Sequence, residues 1–156
     1  MKTEELAADV LRILAQNGKT LATAESCTGG LLADSIVKIP GSSGVFGYGV
    51  VTYANEAKMK LLGVKEETLE KHGAVSPQTA AEMAEGVRKL SGSSIGVSTT
   101  GIAGPDGGTE EKPVGLVYIA VAYENGTYVK KLNLSGNREK VRTLAVKNVL
   151  HMIMKK

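Results

Sequence analysis

A serine stands where a short apolar segment meets a glycine pair, in Ala24-Glu25-Ser26-Cys27-Thr28-Gly29-Gly30. A hydroxyl between a strand end and a helix start lies beside the free N–H groups of the helix, which can stabilise an oxyanion. Gly29 and Gly30 let a substrate come close to the backbone. The same residues also fit a simpler role, with Ser26 or Thr28 capping the helix and the glycines packing. The segment is not the α/β-hydrolase elbow, because Ala24 and Thr28 stand where that motif has glycines. A Ser-His-Asp triad is poorly supported. Only His72 and His151 exist, the second near the end of a terminal helix. His72, in Lys71-His72-Gly73, suits a helix C-terminus, where its charge is favourable.

Val51-Thr52-Tyr53-Ala54-Asn55-Glu56-Ala57-Lys58 spans a second strand end and helix start. Lys58 then falls in the first turn, near the same side of the sheet as Ser26. A lysine acts as a general base only when neutral, so burial or a nearby cation must depress its pKa. Tyr53 could share the proton or orient the amine. The alternative is a solvated surface lysine beside a half-buried strand tyrosine.

Ser98-Thr99-Thr100-Gly101-Ile102-Ala103-Gly104-Pro105-Asp106-Gly107-Gly108 is a strand running into a loop with four glycines in eight residues. Such a loop exposes backbone N–H groups, which bind anions such as phosphate. It matches neither a Walker A loop nor a dinucleotide fingerprint. A purely structural loop would pay a high conformational entropy for so much glycine, which favours function. Asp106, Glu110 and Glu111 are too few and too unaccompanied to argue for a metal centre.

The elements that must hold these segments can be read in order. Thr3 opens a helix with Leu6, Val10, Ile13 and Leu14 on its buried stripe, and Asn17-Gly18 stops it. Leu21 to Glu25 is a strand, and a helix from Thr28 to Ile39 follows. Val45 to Tyr53 is a strand, and a helix starts near Asn55. Ser76-Pro77 opens another helix, with Ala80, Met83, Ala84 and Val87 on one face. Ser94 to Thr100 and Val114 to Tyr123 are strands; Asn125-Gly126 turns the chain into a partner strand from Tyr128 to Leu134. A last helix from Arg138 turns Val141, Leu144, Ala145, Val149 and Met152 inward. Interleaved helices and strands with a closing hairpin predict an α/β fold: three layers, α/β/α, with a mixed sheet of about five strands.

The 156 residues fit one domain, 1–156, with a real core. With 42% hydrophobic and 22% charged residues the chain reads as globular rather than disordered. A net charge of +3, without a basic cluster or a basic aromatic stripe, argues against a nucleic-acid surface. Cys27 is the only cysteine, so neither an intrachain disulfide nor a cysteine zinc cluster is possible. No apolar run approaches the roughly 20 residues of a membrane span, and Glu4, Glu5 and Asp9 interrupt any leader pattern. A cytoplasmic protein without a membrane partner is expected.

Taken in order, these segments resemble the CinA C-terminal domain family, whose enzymatic members are nicotinamide-nucleotide amidases. The matching stretches are Thr23 to Gly30, Pro40-Gly41-Ser42-Ser43, Val51 to Lys58, His72-Gly73-Ala74-Val75-Ser76, Ser98 to Gly108, Lys112-Pro113-Val114-Gly115 and Gly136-Asn137-Arg138. Each is weak alone; the ordered set is specific and covers nearly the whole chain. The resemblance implies Ser26 as nucleophile, Lys58 as base and Tyr53 as assistant. Thr28, Gly29, Gly30, Ser43, Thr100, Gly101 and Arg138 would bind the substrate, nicotinamide mononucleotide. Backbone N–H groups around Thr28 to Gly30, or at Thr100-Gly101, would hold the oxyanion. Ser-Lys pairs are a known variant of the triad logic. The Ser-x-x-Lys spacing of β-lactamases is absent, since Gly29 takes the lysine's place, so the fold must bring Ser26 and Lys58 together. The resemblance further implies three layers, no metal, no cofactor and a homodimer. It also implies a start directly at the amidase domain, without the molybdopterin-binding-like domain that precedes it in some members. A phosphate-ligand binding or regulatory module without turnover is the competing expectation, carried by the glycine-rich loop.

Overall fold

The computed structural model describes residues 1–155. Five strands form one sheet in the order β2-β1-β3-β4-β5. They are β1 (Leu21–Glu25), β2 (Phe46–Val51), β3 (Ile95–Gly101), β4 (Leu116–Tyr123) and β5 (Gly126–Asn133). β1 runs parallel to both β2 and β3, while β3, β4 and β5 pair antiparallel. The sheet is therefore mixed, with helices on both faces, as the alternation of patterns predicts.

The helices are α1 (Thr3–Gln16), α2 (Leu31–Val37), α3 (Asn55–Leu62), α4 (Glu66–His72), α5 (Pro77–Ser91) and α6 (Arg138–Met154). α1, α2 and α6 cover one face. Leu6, Val10, Leu14, Ile36, Val149 and Leu150 pack there on Leu21, Val97, Ile119 and Val121. Ile13, Leu144 and Met152 are only half-buried, and Ala7, Leu11 and Val146 join the core instead.

The other face is lined by small residues. Ala22, Ala24, Ala120 and Ala122 meet Ala80, Met83, Ala84 and Val87 of α5. Small side chains on both sides let α5 lie tight on the sheet. α3 then closes on α5: a Cβ at Gly86 would lie 2.0 Å from the Leu62 carbonyl oxygen. Only glycine fits there, and this contact fixes the helix that carries Lys58.

Most local signals act as read. Ser76 caps α5 by accepting the Thr79 N–H at 3.1 Å, with Pro77 in the first turn. Asn137 caps α6 by accepting the Lys140 N–H at 2.9 Å. His72 ends α4. Several ends shift by one to three residues, and two shifts bear on the candidate site. α2 starts at Leu31 rather than Thr28, because Gly29 (φ 57°) and Gly30 (φ 103°) take left-handed conformations and turn the chain first. β2 ends at Val51 rather than Tyr53. The Thr52 N–H still donates to the Glu25 carbonyl at 2.8 Å, but the carbonyls of Thr52 and Tyr53 turn to a side chain instead.

Candidate active site

The C-terminal ends of β1, β2 and β3 share one edge of the sheet, the usual place for ligands in open α/β folds. Ser26 follows β1 directly, and its N–H donates to the Thr99 carbonyl at 3.0 Å, extending the ladder by one residue. Lys58 reaches it from the first turn of α3, and its Nζ lies 3.1 Å from Ser26 Oγ. The same nitrogen donates to the carbonyls of Thr52 at 2.8 Å and Tyr53 at 3.2 Å. Lys58 is 1% exposed and Ser26 8% exposed.

This arrangement is informative about protonation. A charged ammonium would spend its three hydrogens on two carbonyls and one hydroxyl. A neutral amine has two hydrogens and one lone pair. In the neutral form the two carbonyls would take the hydrogens, and the lone pair would be left for the Ser26 proton. Burial drives the same way: it lowers the Lys58 pKa from its ordinary value of 10.5, opposed weakly by the neighbouring Cys27 thiol. Among the described residues no carboxylate forms an ion pair with Lys58 that would hold its charge.

Glu25 carries the turn that presents Ser26, a role its position in the sequence did not suggest. It is 1% exposed. Its carboxylate accepts the N–H groups of Leu32 at 2.8 Å and Ala33 at 3.0 Å, and the Thr28 hydroxyl at 2.5 Å. Thr28 Oγ1 also bonds Thr99 Oγ1 at 2.7 Å. Glu25 is thus what caps α2, and neither Ser26 nor Thr28 does; the residue at the cap position is Gly30, without a side chain to offer. Within the turn the Gly29 N–H donates to the Ser26 carbonyl at 3.1 Å. The N–H groups of Thr28 and Gly30 find no hydrogen-bond partner among the described residues, but Thr28 is 0% exposed, so only that of the half-buried Gly30 borders solvent. Cys27 itself is buried, and burial pushes its thiol up to about 12, which removes it as a competing nucleophile.

The expected binding residues divide. Arg138 is exposed and joins two segments, donating to the Gly104 carbonyl at 2.7 Å and to the Tyr53 hydroxyl at 3.1 Å. Tyr53 therefore serves the lysine through its carbonyl, while its hydroxyl is engaged by Arg138 and its ring is 63% exposed. Thr100 is buried and donates to the Ala74 carbonyl at 2.8 Å. Gly101 ends β3, where a Cβ would strike Val117. Ser43 is exposed in a short 3-10 turn (Ser42–Gly44) and joins none of these contacts. A second arginine, Arg142, was missed. Its Nε and Nη2 donate to the carbonyls of Cys27 at 3.2 Å and Thr28 at 2.7 Å. The available signal was its spacing of four from Arg138, which puts both on one helical face.

Among the described residues no group of three or more His, Cys, Asp or Glu side chains is placed to hold a metal ion. No helix there is long and apolar enough to cross a membrane.

Residues 3–156 match the family model described as CinA C-terminal domain. A competence-damage inducible protein of Caldanaerobacter subterraneus subsp. tengcongensis is 61% identical over 150 residues, which is 96% of this chain and 36% of that protein. One of Acetivibrio thermocellus is 58% identical, again over 96% and 36%. The chain thus spans about a third of the length of these relatives. Among solved structures, the competence/damage inducible protein from Agrobacterium tumefaciens superposes with a TM-score of 0.96 at 44% identity, covering 98% of this chain and 94% of that one. The competence damage-inducible protein A from Klebsiella pneumoniae gives 0.97 at 38%, covering 100% and 97%. With a matching family model over nearly its whole length and the same five-stranded fold, the chain belongs to the CinA C-terminal domain family.

Proposed function

We propose that this domain is an amidohydrolase that converts nicotinamide mononucleotide and water to nicotinate mononucleotide and ammonia. The observation that carries this reading is the Lys58 amine, shut from water, with two carbonyls on its hydrogens and Ser26 Oγ at 3.1 Å. Neutral Lys58 takes the Ser26 proton as Oγ attacks the carboxamide carbon. The same proton passes to the departing nitrogen, and ammonia leaves. Water then attacks the acyl-serine, giving a proton to Lys58; Lys58 returns it to Ser26 Oγ as the acyl–oxygen bond breaks, and the acid leaves as the carboxylate with its last proton passing to solvent. The step needs neither metal nor cofactor.

Arg138, the Gly104 loop and the exposed Tyr53 ring would bind the rest of the nucleotide. Thr100 supports the fold of this edge rather than facing a ligand, because its hydroxyl is spent on Ala74. The family resemblance names the substrate, and the geometry supports the reaction class. A binding module without turnover would have no use for a desolvated lysine on a serine.

Ammonia release from nicotinamide mononucleotide by the purified chain, in the presence of chelator, tests the reading. We expect stoichiometric ammonia and nicotinate mononucleotide. Tight nucleotide binding with no ammonia would contradict it and favour the binding module.

A further inference from the structure

β2 is one of the two edges of the sheet. Gly47, Tyr48, Gly49 and Val51 are all exposed along it, Tyr48 and Val51 at 49% each. We propose that β2 pairs antiparallel with the β2 of a second copy of this chain, and that the pairing sets Ser43 of each copy beside Tyr53 of the other. The pairing does not depend on the reaction; the use of Ser43 at the site rests on the function proposed above.

The two edges are built differently. β5 carries Lys130 and Lys131, both exposed, and charge on an edge, lysine above all, guards it against pairing. β2 has no such guard: from Ile39 to Asn55 no residue is charged. Two such strands meet without like-charge repulsion. The backbone of β2 still has bonds to give. The Thr52 N–H donates inward to the Glu25 carbonyl at 2.8 Å, and Gly49 and Val51 stand in register with Thr23 and Glu25. Alternate residues of a strand turn their N–H and C=O to opposite sides. Counting back from Thr52, those of Val51 and Gly49 point away from β1. A second copy turned about a two-fold axis presents the same groups in reverse order. Gly49 then exchanges both bonds with the partner's Val51, and Val51 with the partner's Gly49. Valine falls opposite glycine, so the exposed Val51 side chain meets no Cβ across the pair. This self-complementary order commits the edge to a second copy rather than to an extended segment of another protein.

The same register brings the site into the pair. Each step back along one strand is a step forward along the other. Tyr53 comes opposite the partner's Gly47, and Asn55 opposite the partner's Val45. The short turn that holds Ser43 is therefore delivered to the other copy's segment from Tyr53 to Asn55, all of it exposed. That segment borders the candidate site, because the Tyr53 hydroxyl accepts the Arg138 N–H at 3.1 Å. Within one chain Ser43 joins none of these contacts; in the pair it adds a hydroxyl to the entrance.

The whole chain is tested in two ways. In analytical ultracentrifugation the wild type should have the mass of two chains. Val51→Lys and Tyr48→Lys each put a charge on the edge, and each should have the mass of one chain; the second covers the case in which the first does not fold. For the register, Ser43→Cys and Asn55→Cys chains are co-expressed and treated with a short bismaleimide. The two kinds of chain should cross-link to each other, with the buried Cys27 silent. Either variant expressed alone should not cross-link, because like residues then lie at opposite ends of the pair. A wild type with the mass of one chain overturns the proposal. So does a two-chain mass kept by whichever lysine variants fold, or a mixed pair that does not cross-link. Mixed cross-links without ammonia release from nicotinamide mononucleotide would instead refute the substrate reading and leave the pairing standing.

Discussion

The Ser26–Lys58 corner and the Tyr53–Arg138 link start from neighbouring residues and differ in physical character. The corner is dry: both side chains are buried, and every hydrogen of the amine has an internal partner. The link is wet. Tyr53 is 63% exposed, and Arg138 meets it from solvent. A buried, preorganised pair can keep a lysine neutral, which water would not allow. An exposed, charged pair can attract and release a nucleotide cheaply, because solvent screens it. In the proposed reaction, chemistry and recognition would fall in these two opposite environments, a few residues apart.

Breaking the dry corner should have the largest effect. Ser26→Ala should lower turnover at least about 10⁴-fold, in the range seen when the nucleophile of a serine enzyme is removed. Since Glu25 and not Ser26 caps α2, the variant should keep its melting temperature and its nucleotide affinity. Side-by-side turnover and thermal melts check both. Lys58→Arg should fall nearly as far, although it keeps the charge, because guanidinium does not deprotonate in proteins. An arginine variant with near wild-type ammonia release would remove Lys58 from the base role.

The support beneath the corner comes next. Glu25→Gln keeps the shape but offers one fewer acceptor to Leu32, Ala33 and Thr28. Leaving a buried donor unpaired costs about 1–3 kcal/mol. Urea unfolding should show a loss of that size, and turnover should fall as the turn loosens. An unchanged midpoint would show that the carboxylate does not hold α2.

The wet link should respond mainly in binding. Arg138→Ala removes one charged contact, worth about 1.5–3 kcal/mol, which corresponds to roughly a 10- to 150-fold rise in KM. Its effect on kcat should be much smaller. Nicotinamide riboside, which lacks the phosphate, should show a comparable loss of kcat/KM with the wild type. Equal efficiency on the two substrates would separate Arg138 from the phosphate.

The smallest effect is on stability against pH. Lys58 has a folded pKa below its unfolded value of 10.5, so between the two the unfolded chain binds more protons. Burial of the lysine therefore costs stability at low and neutral pH. The cost is relieved as pH rises from the folded pKa toward 10.5. Compared with Lys58→Met, the wild type should gain stability over that window. A difference that stays constant from pH 6 to 10 would argue against a depressed pKa.

The layers, the mixed sheet and the α5 cap follow from the sequence, because Ser76-Pro77, Asn125-Gly126 and the alanine face of α5 act locally. The nearness of Ser26 and Lys58 follows from two parallel strands ending at one edge. Glu25 was not legible as a cap, since it binds N–H groups seven and eight residues ahead, beyond the usual capping reach. Arg142 was hidden because its partners lie more than a hundred residues away. Tyr53 meets the lysine, but through its carbonyl rather than the hydroxyl that a tyrosine suggests. Nothing in the sequence separates Ser43 and Thr100 from pocket-lining residues, yet Ser43 is exposed outside these contacts and the Thr100 hydroxyl donates to the Ala74 carbonyl.

A Ser26–Lys58 dyad requires Lys58 to rest neutral at the pH where the serine must be activated. Nuclear magnetic resonance of the ¹⁵N-labelled lysine amines, with Lys58→Met to assign the signal, measures this directly. Lys58 should titrate with a midpoint clearly below the ordinary lysine value of 10.5. A Lys58 signal that stays charged up to that value would contradict the dyad.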